Sequence, residues 1–350
     1  MVVFWRKLFY GIDLECCLLK AYINNIAYYL PHNVEDNPPG RLRKKTGIES
    51  RHICAKDEIA SDLAIKAAQK IFASGVNRSQ VEMIMLCTQS PDYFLPTTAC
   101  ILQDKLGLSK HCGALDFNLG CSGYIYGLSL AKGLIESGQV KNVLLLTAET
   151  YSKYINEKDH SVKPLFGDGA TATFIECVDT DIDGIDGFVF GTDGRGYHNL
   201  IVPVGGMAKP YHIASYIEKE DEYGNIRTDF NIHMNGNAIS EFALDVVPDT
   251  VNMILSKTGK SREDIGYFIF HQANKFMLEY LQQKCNLMNY PYWNDVSEYG
   301  NTVSNSIPIA ICDMLKQGRP ALPWIMSIGF GVGLSWGGCL IDCSRCNAVD

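Results

Sequence analysis

Val81-Glu-Met-Ile-Met-Leu-Cys87 and Ile265-Gly-Tyr-Phe-Ile-Phe-His271 are the stretches on which the fold turns. Each is an apolar run of strand length, and each has the same lead-in. Leu63-Ala-Ile-Lys-Ala-Ala-Gln69 and then Ser74-Gly75 precede the first; Phe242-Ala-Leu-Asp-Val-Val247 and then Thr258-Gly259 precede the second. A helical spacing, a glycine that ends the helix, a short polar turn and a buried strand thus occur twice. Gly75 to Gly259 and Cys87 to His271 are both 184 positions apart. Two more pairs keep the order. Gly120-Cys-Ser122 opens a helical segment ending at Gly138, and Gly300-Asn-Thr302 opens one ending at Gly318, an offset of 180. Phe166-Gly-Asp-Gly169 is answered by Phe330-Gly-Val-Gly333, an offset of 164. Such self-similarity reads as two copies of one α/β unit, over 21–180 and 185–345, with residues 1–20 as an N-terminal extension.

The rest of the composition narrows the function. The 350 residues are 47% hydrophobic and 20% charged, which suits a chain with a large core and excludes a disordered, collagenous or coiled-coil protein. With 31 Lys and Arg against 39 Asp and Glu, the net charge of −8 argues against a nucleic-acid partner, whose phosphates call for surplus cations. Thirteen cysteines without regular spacing point to free thiols in a reducing cytoplasm. Cys343 and Cys346 form one CxxC with no second pair, so no metal site is expected. No apolar run approaches the roughly 20 residues of a membrane span, and Arg6 and Lys7 follow rather than precede the apolar start, unlike a secretory signal.

Four positions carry candidate chemistry. Cys121 follows a strand pattern, Leu115 to Leu119, and Gly120, and it opens a helix. That is an elbow in which unpaired N–H groups lower a thiol pKa and hold an oxyanion; a buried cysteine acting as a small hydrophobe is the other reading. His271 ends an apolar strand, as a core histidine or a functional one. Asn301 is a turn or cap residue, or a second donor. The turn from Phe330 to Gly333 lies between two strand patterns and lacks the Lys-Ser/Thr of a phosphate loop. Cys121 and Asn301 occupy equivalent helix starts by the repeat, so a pseudo-twofold axis would let them converge where α/β folds gather ligands. Arg41-Leu-Arg-Lys-Lys45 puts four cations into five residues, either a solvated loop or a patch for a phosphate or an acidic carrier protein.

On these motifs the chain resembles the β-ketoacyl-acyl-carrier-protein synthase III branch of the thiolase-fold condensing enzymes. The resemblance spans about 21 to 345 and rests on Lys45-Thr-Gly-Ile-Glu-Ser-Arg-His52, the Cys121 elbow, Phe166-Gly-Asp-Gly-Ala170, His233-Met-Asn-Gly-Asn237, His271-Gln-Ala-Asn274, Tyr299-Gly-Asn-Thr302 and Gly331-Val-Gly-Leu-Ser-Trp-Gly337. It implies a duplicated thiolase-like α/β fold of five αβαβα layers, a cytoplasmic homodimer, and a Cys121, His271, Asn301 triad that uses no cofactor. Cys121 would take a primer acyl group from acyl-CoA or acyl-carrier protein, with the N–H groups of Cys121 and Val332 holding the oxyanion. Malonyl-acyl-carrier protein would then lose CO₂ while His271 and Asn301 hold its enolate beside Phe330 and Gly331, and condensation would give a 3-oxoacyl-carrier protein. An acyltransferase moving the Cys121 acyl group to a hydroxyl or amine is the alternative.

The resemblance also assigns substrate-binding positions and shows departures. Met234, Gly236 and Asn274 match its substrate-binding motifs. Arg41 and His160 stand where members that use acetyl-CoA clasp the adenine between Trp and Arg. Lys45 keeps a phosphate-pairing charge, whereas Phe276 replaces another. Leu95 stands where a large aromatic often closes the acyl pocket from the neighbouring subunit, which favours a primer longer than acetyl. Fatty acid, polyketide and surface-glycan pathways all remain open at this point.

Overall fold

The computed structural model of the chain describes residues 18–350. The extension at 1–17, with Cys16 and Cys17, lies outside the described residues, and the first strand begins at Leu19, inside the stretch read as an extension.

Two sheets organise the molecule. The first runs in the order Asn347–Val349 (β10), Leu19–Tyr29 (β1), Gly169–Asp179 (β5), Asn142–Glu149 (β4), Met83–Cys87 (β2) and Gly113–Phe117 (β3). The second runs Ile265–Phe270 (β7), Trp324–Gly331 (β8), Ser335–Asp342 (β9) and Ile185–Thr192 (β6). Their polarities match strand for strand. β1 is antiparallel to β5, β5 is antiparallel to β4, and β4 and β2 are parallel. Likewise β6 is antiparallel to β9, β9 is antiparallel to β8, and β8 and β7 are parallel. Even the outermost pairing recurs: β2 pairs parallel with β3, and Phe268 of β7 makes a parallel bridge to Tyr292.

Alternation along the buried strands separates the layers, because successive side chains point to opposite faces. Ile84, Leu86, Leu144 and Leu146 face Ala60–Ala73 (α1) and Thr98–Lys105 (α2), whereas Met85, Val143 and Leu145 face inward. The inward side meets Gly123–Glu136 (α3) and Ser306–Gln317 (α6), which also cover Ile269 and Ile325 of the second sheet. Phe268, Phe270, Met326 and Ile328 face outward onto Gly236–Thr258 (α4) and Lys275–Lys284 (α5). The order is therefore helix, sheet, helix, sheet, helix: the five-layer thiolase-like arrangement. Cys343 and Cys346 are buried in the central core.

Two details depart from the simple repeat. β10 leaves the second half and pairs in parallel with β1 of the first, so residues 347–349 complete the other sheet. Equating Cys121 with Asn301 as helix starts also needs correction. Cys121 lies two residues before α3, but Asn301 lies five before α6, because a 3₁₀ turn at Val303–Asn305 intervenes.

That turn is bolted to the first sheet. Asn305 Oδ1 accepts from Thr147 Oγ1 at 2.5 Å, and its Nδ2 donates to the carbonyls of Gly169 and Thr302, both at 3.0 Å. Asn305 is fully buried, so deleting its amide strands several polar groups away from water. Asn305→Ala is expected to lower unfolding free energy by about 2 kcal/mol or more, measured by chemical denaturation.

Candidate active site

Cys121 is placed by the step from β3 through Gly120 into α3. Its sulfur lies at the meeting of the two halves. Residues of β8 come so close that a Cβ on Gly331 would sit 2.9 Å from Cys121 Sγ, and one on Gly329 would sit 2.5 Å from the Cys121 carbonyl oxygen. Only glycine allows that approach. The backbone N–H groups of Cys121 and Val332 lie near enough to the sulfur to favour its charged form.

His271 continues β7, its N–H donating to the Ile328 carbonyl at 2.9 Å. The ring is buried edge-on against Phe330, with centroids 5.5 Å apart, and Phe330 lies directly before the Gly331 that touches the sulfur. Nδ1 is 2.7 Å from Ser306 Oγ at the start of α6. Burial holds the imidazole down to about 3, so it is neutral throughout the working pH range. Asn301 enters from the same turn. Its backbone is clamped between Leu165 and Gly167, and its Oδ1 accepts from the Val303 N–H at 2.9 Å. Val303 in turn shares a buried apolar cluster with Cys121, Tyr151, Val162, Phe166, Leu200 and Ile232. Among the described residues, His271 Nε2 and Asn301 Nδ2 make no hydrogen bond, and neither is sealed from solvent.

The thiol reverses one expectation. The helix start was expected to lower its pKa, yet burial pushes Cys121 up to about 12. The buried Glu149 carboxylate pushes the same way, while the two N–H groups work against it. Glu149 accepts from the Gln89 N–H, Ser90 Oγ and Ser304 Oγ. Burial nevertheless raises it to about 8.

The other positions fall into two groups. Met234 packs against the Cys121 cluster. Gly236 begins α4 at the surface, after Asn235, whose side chain caps that helix. The Asn274 side-chain oxygen is taken by the Met277 N–H as the cap of α5. Arg41, Lys45 and His160 are exposed, and Lys45 Nζ lies 5.3 Å from the centre of the half-exposed Phe276 ring. Leu95 is 84% exposed in the apolar stretch Tyr93-Phe94-Leu95 and takes no part in the cluster around the sulfur within this chain. Sequence reasoning did not single out Ser306, and it set Glu149 aside as too indirect for a catalytic carboxylate. Ser306 alone had a local signal, as a hydroxyl at a helix start five residues beyond Asn301.

Comparison with known proteins gives this geometry a context. Residues 115–194 match the family model for 3-oxoacyl-[acyl-carrier-protein (ACP)] synthase III, and residues 255–343 match the model for its C-terminal part. The chain is 35% identical over 333 residues to β-ketoacyl-[acyl-carrier-protein] synthase III of Clostridium perfringens strain SM101, covering 92% of this chain and 99% of that one. A crystal structure of a 3-oxoacyl-(acyl-carrier-protein) synthase III superposes with a TM-score of 0.90 at 47% identity, over 92% of this chain and 99% of that one. A second, 3-oxoacyl-(acyl-carrier protein) synthase from Burkholderia xenovorans, gives 0.85 at 35% identity over 95% and 96%.

The Glu149 shift carries a sign. Its folded pKa of about 8 exceeds its ordinary value of 4.5, so the folded state holds a proton that the unfolded chain gives up between them. The stability this group contributes is complete below 4.5 and is lost as pH rises through 8. Glu149→Gln, neutral at every pH, is expected to flatten the fall in stability over that window in denaturation curves taken across pH.

Proposed function

The chain belongs to the β-ketoacyl-[acyl-carrier-protein] synthase III family, and from that premise we propose that Cys121, His271 and Asn301 carry its reaction. The enzyme is a condensing acyltransferase. Cys121 attacks the carbonyl of a primer thioester, acyl-CoA or acyl-carrier protein; the new S–C bond forms as the donor's C–S bond breaks, and the thiol proton leaves with the donor as a free thiol. The oxyanion of that step is held by the N–H groups of Cys121 and Val332. A thiol this far from ionising has to lose its proton during attack rather than before it.

Malonyl-acyl-carrier protein enters next. Its carboxylate C–C bond breaks, CO₂ departs, and the electron pair flows into the thioester as an enolate. In this mechanism the Ser306 hydroxyl, 2.7 Å away, donates to Nδ1, which puts the His271 ring proton on Nε2, and the enolate oxygen then receives two neutral N–H donors, Nε2 and Asn301 Nδ2. The carbanion attacks the acylated Cys121, the 3-oxoacyl-carrier protein is released, and the thiolate takes a proton from solvent. Phe330, packed edge-on to His271, offers an apolar neighbour that favours loss of a charged carboxylate as neutral CO₂.

What carries this reading is that His271 Nε2 and Asn301 Nδ2 are both left without a hydrogen-bond partner among the described residues, while Gly331, next to the Phe330 that packs on His271, closely approaches the Cys121 sulfur. Transfer to a hydroxyl or amine would leave that donor pair without a role. We further propose a homodimer that covers the exposed Tyr93, Phe94 and Leu95, and a reducing cytoplasmic setting, supported by the irregular spacing of the thirteen cysteines in the sequence. No helix among the described residues is long and apolar enough to cross a membrane.

Incubation with acyl thioesters should add one acyl mass to Cys121, read by peptide mass spectrometry; no adduct across acyl-CoA and acyl-carrier donors would reject the nucleophile. His271→Ala should still form the adduct yet release CO₂ from malonyl-carrier protein at least about a hundredfold more slowly. Because His271 stays neutral down to about 3, CO₂ release by the native enzyme should show no imidazole inflection near 6.5. A limb there would mean that the charged ring participates.

A further inference from the structure

Glu149, the last residue of β4, is fully buried and holds groups from both halves of the molecule. Its Oε1 accepts from Ser304 Oγ at 2.9 Å and its Oε2 from Ser90 Oγ at 3.2 Å, and the two oxygens share the Gln89 N–H at 3.3 and 3.1 Å. Ser304 lies in the 3₁₀ turn between Asn301 and Ser306, the turn that carries the functional groups of the second half. Gln89 lies on the other side, against the elbow that presents the sulfur. Its Nε2 donates to Asn118 Oδ1 at 2.9 Å, and a Cβ on Gly120 would sit 2.6 Å from its Oε1. Asn118 and Gly120 lead directly into Cys121. One carboxyl thus ties the elbow of the nucleophile to the turn of the enolate donors. Burial raises it to about 8, so near neutral pH it holds a proton, which one of the two serine hydroxyls can accept.

We propose that Glu149 is a positioning residue that keeps the Asn301 turn in register with the Cys121 elbow, so that decarboxylation and condensation depend on it and acylation does not. The inference deepens the proposed function and rests on its assignment of Cys121, His271 and Asn301. Acylation uses the sulfur and its neighbouring N–H groups, which keep their places when the turn shifts. Decarboxylation needs Asn301 Nδ2 and His271 Nε2 on one enolate oxygen, and both are set from the turn, the first directly and the second through Ser306. A displacement of about 1 Å there is enough to cost roughly a hundredfold in rate. Glutamine in place of Glu149 is neutral and of the same shape; its oxygen can accept from the Gln89 N–H while its amide donates to a serine hydroxyl.

The test follows two steps in each variant: acylation of Cys121 by acetyl- and octanoyl-CoA and the matching acyl-carrier proteins, read by intact-protein mass spectrometry, and CO₂ release from malonyl-carrier protein. Glu149→Leu should lower the kcat of CO₂ release about a hundredfold, with KM for malonyl-carrier protein and the acylation rate both within a few-fold of native. Glu149→Gln should restore CO₂ release to within a few-fold. Ser304→Ala removes a single hydroxyl and carries the same test if the leucine variant does not fold; its loss of CO₂ release should be about tenfold or more. Combined with Glu149→Leu it should add little, because both changes break one link. Undiminished CO₂ release in Glu149→Leu and Ser304→Ala would overturn the proposal, as would acylation that falls in step with it. A glutamine variant as slow as the leucine one would give Glu149 a proton-transfer role in place of a positioning one. A native enzyme that neither acylates Cys121 nor releases CO₂ would instead remove the proposed reaction, and this role with it.

Discussion

The seating of one turn of the second half, Gly300 to Ser306, inside the first half is the constraint on which the site depends. Its backbone is stitched to Leu165 and Gly167, Ser304 reaches Glu149, and Asn305 reaches Thr147 and Gly169. From that anchored turn come three things at once: the Asn301 amide, the Val303 side chain beside the sulfur, and the Ser306 hydroxyl on His271. A donor on the turn itself and one at the end of β7 are thus set by a single local structure. Small motions of one half against the other would disturb all of them together. The dense hydrogen bonding of the turn is the physical means of preventing that.

Burial is the second organising fact, and it acts in opposite directions on the two chemical partners. It keeps His271 neutral, which suits a hydrogen-bond donor to an enolate, because an imidazolium would be costly to hold there. It also keeps Cys121 protonated, so that in the proposed mechanism the thiol proton leaves only as the carbonyl is attacked. The same dry surroundings strengthen every dipole aimed at a developing oxyanion.

Much of this was legible in the chain because it is written in short local patterns. The strand ends at Cys87 and His271 share one offset, and the matched strand polarities give that offset its structural meaning. Asn301 was legible as a participant but not in register, since the 3₁₀ turn ahead of α6 adds residues that α3 lacks. The contacts of Ser306 with His271 and of Tyr151 with Gln89 were not legible. A serine at a helix start and an aromatic after a strand have ordinary local explanations, and only packing across some tens to hundreds of positions brings Gln89 to Tyr151 or Thr147 to Asn305. The thiol was misjudged for a related reason: a helix terminus can be read from sequence, whereas the dehydration that outweighs it is a property of the assembled halves.

The strand Asn347–Val349 lies beside β1, which is translated more than three hundred residues earlier. Until those residues emerge from the ribosome, the edge of β1 that they cover presents open backbone groups to the crowded cell. A cut between the two similar halves would accordingly leave that edge of β1 uncovered unless the C-terminal piece stays bound to it.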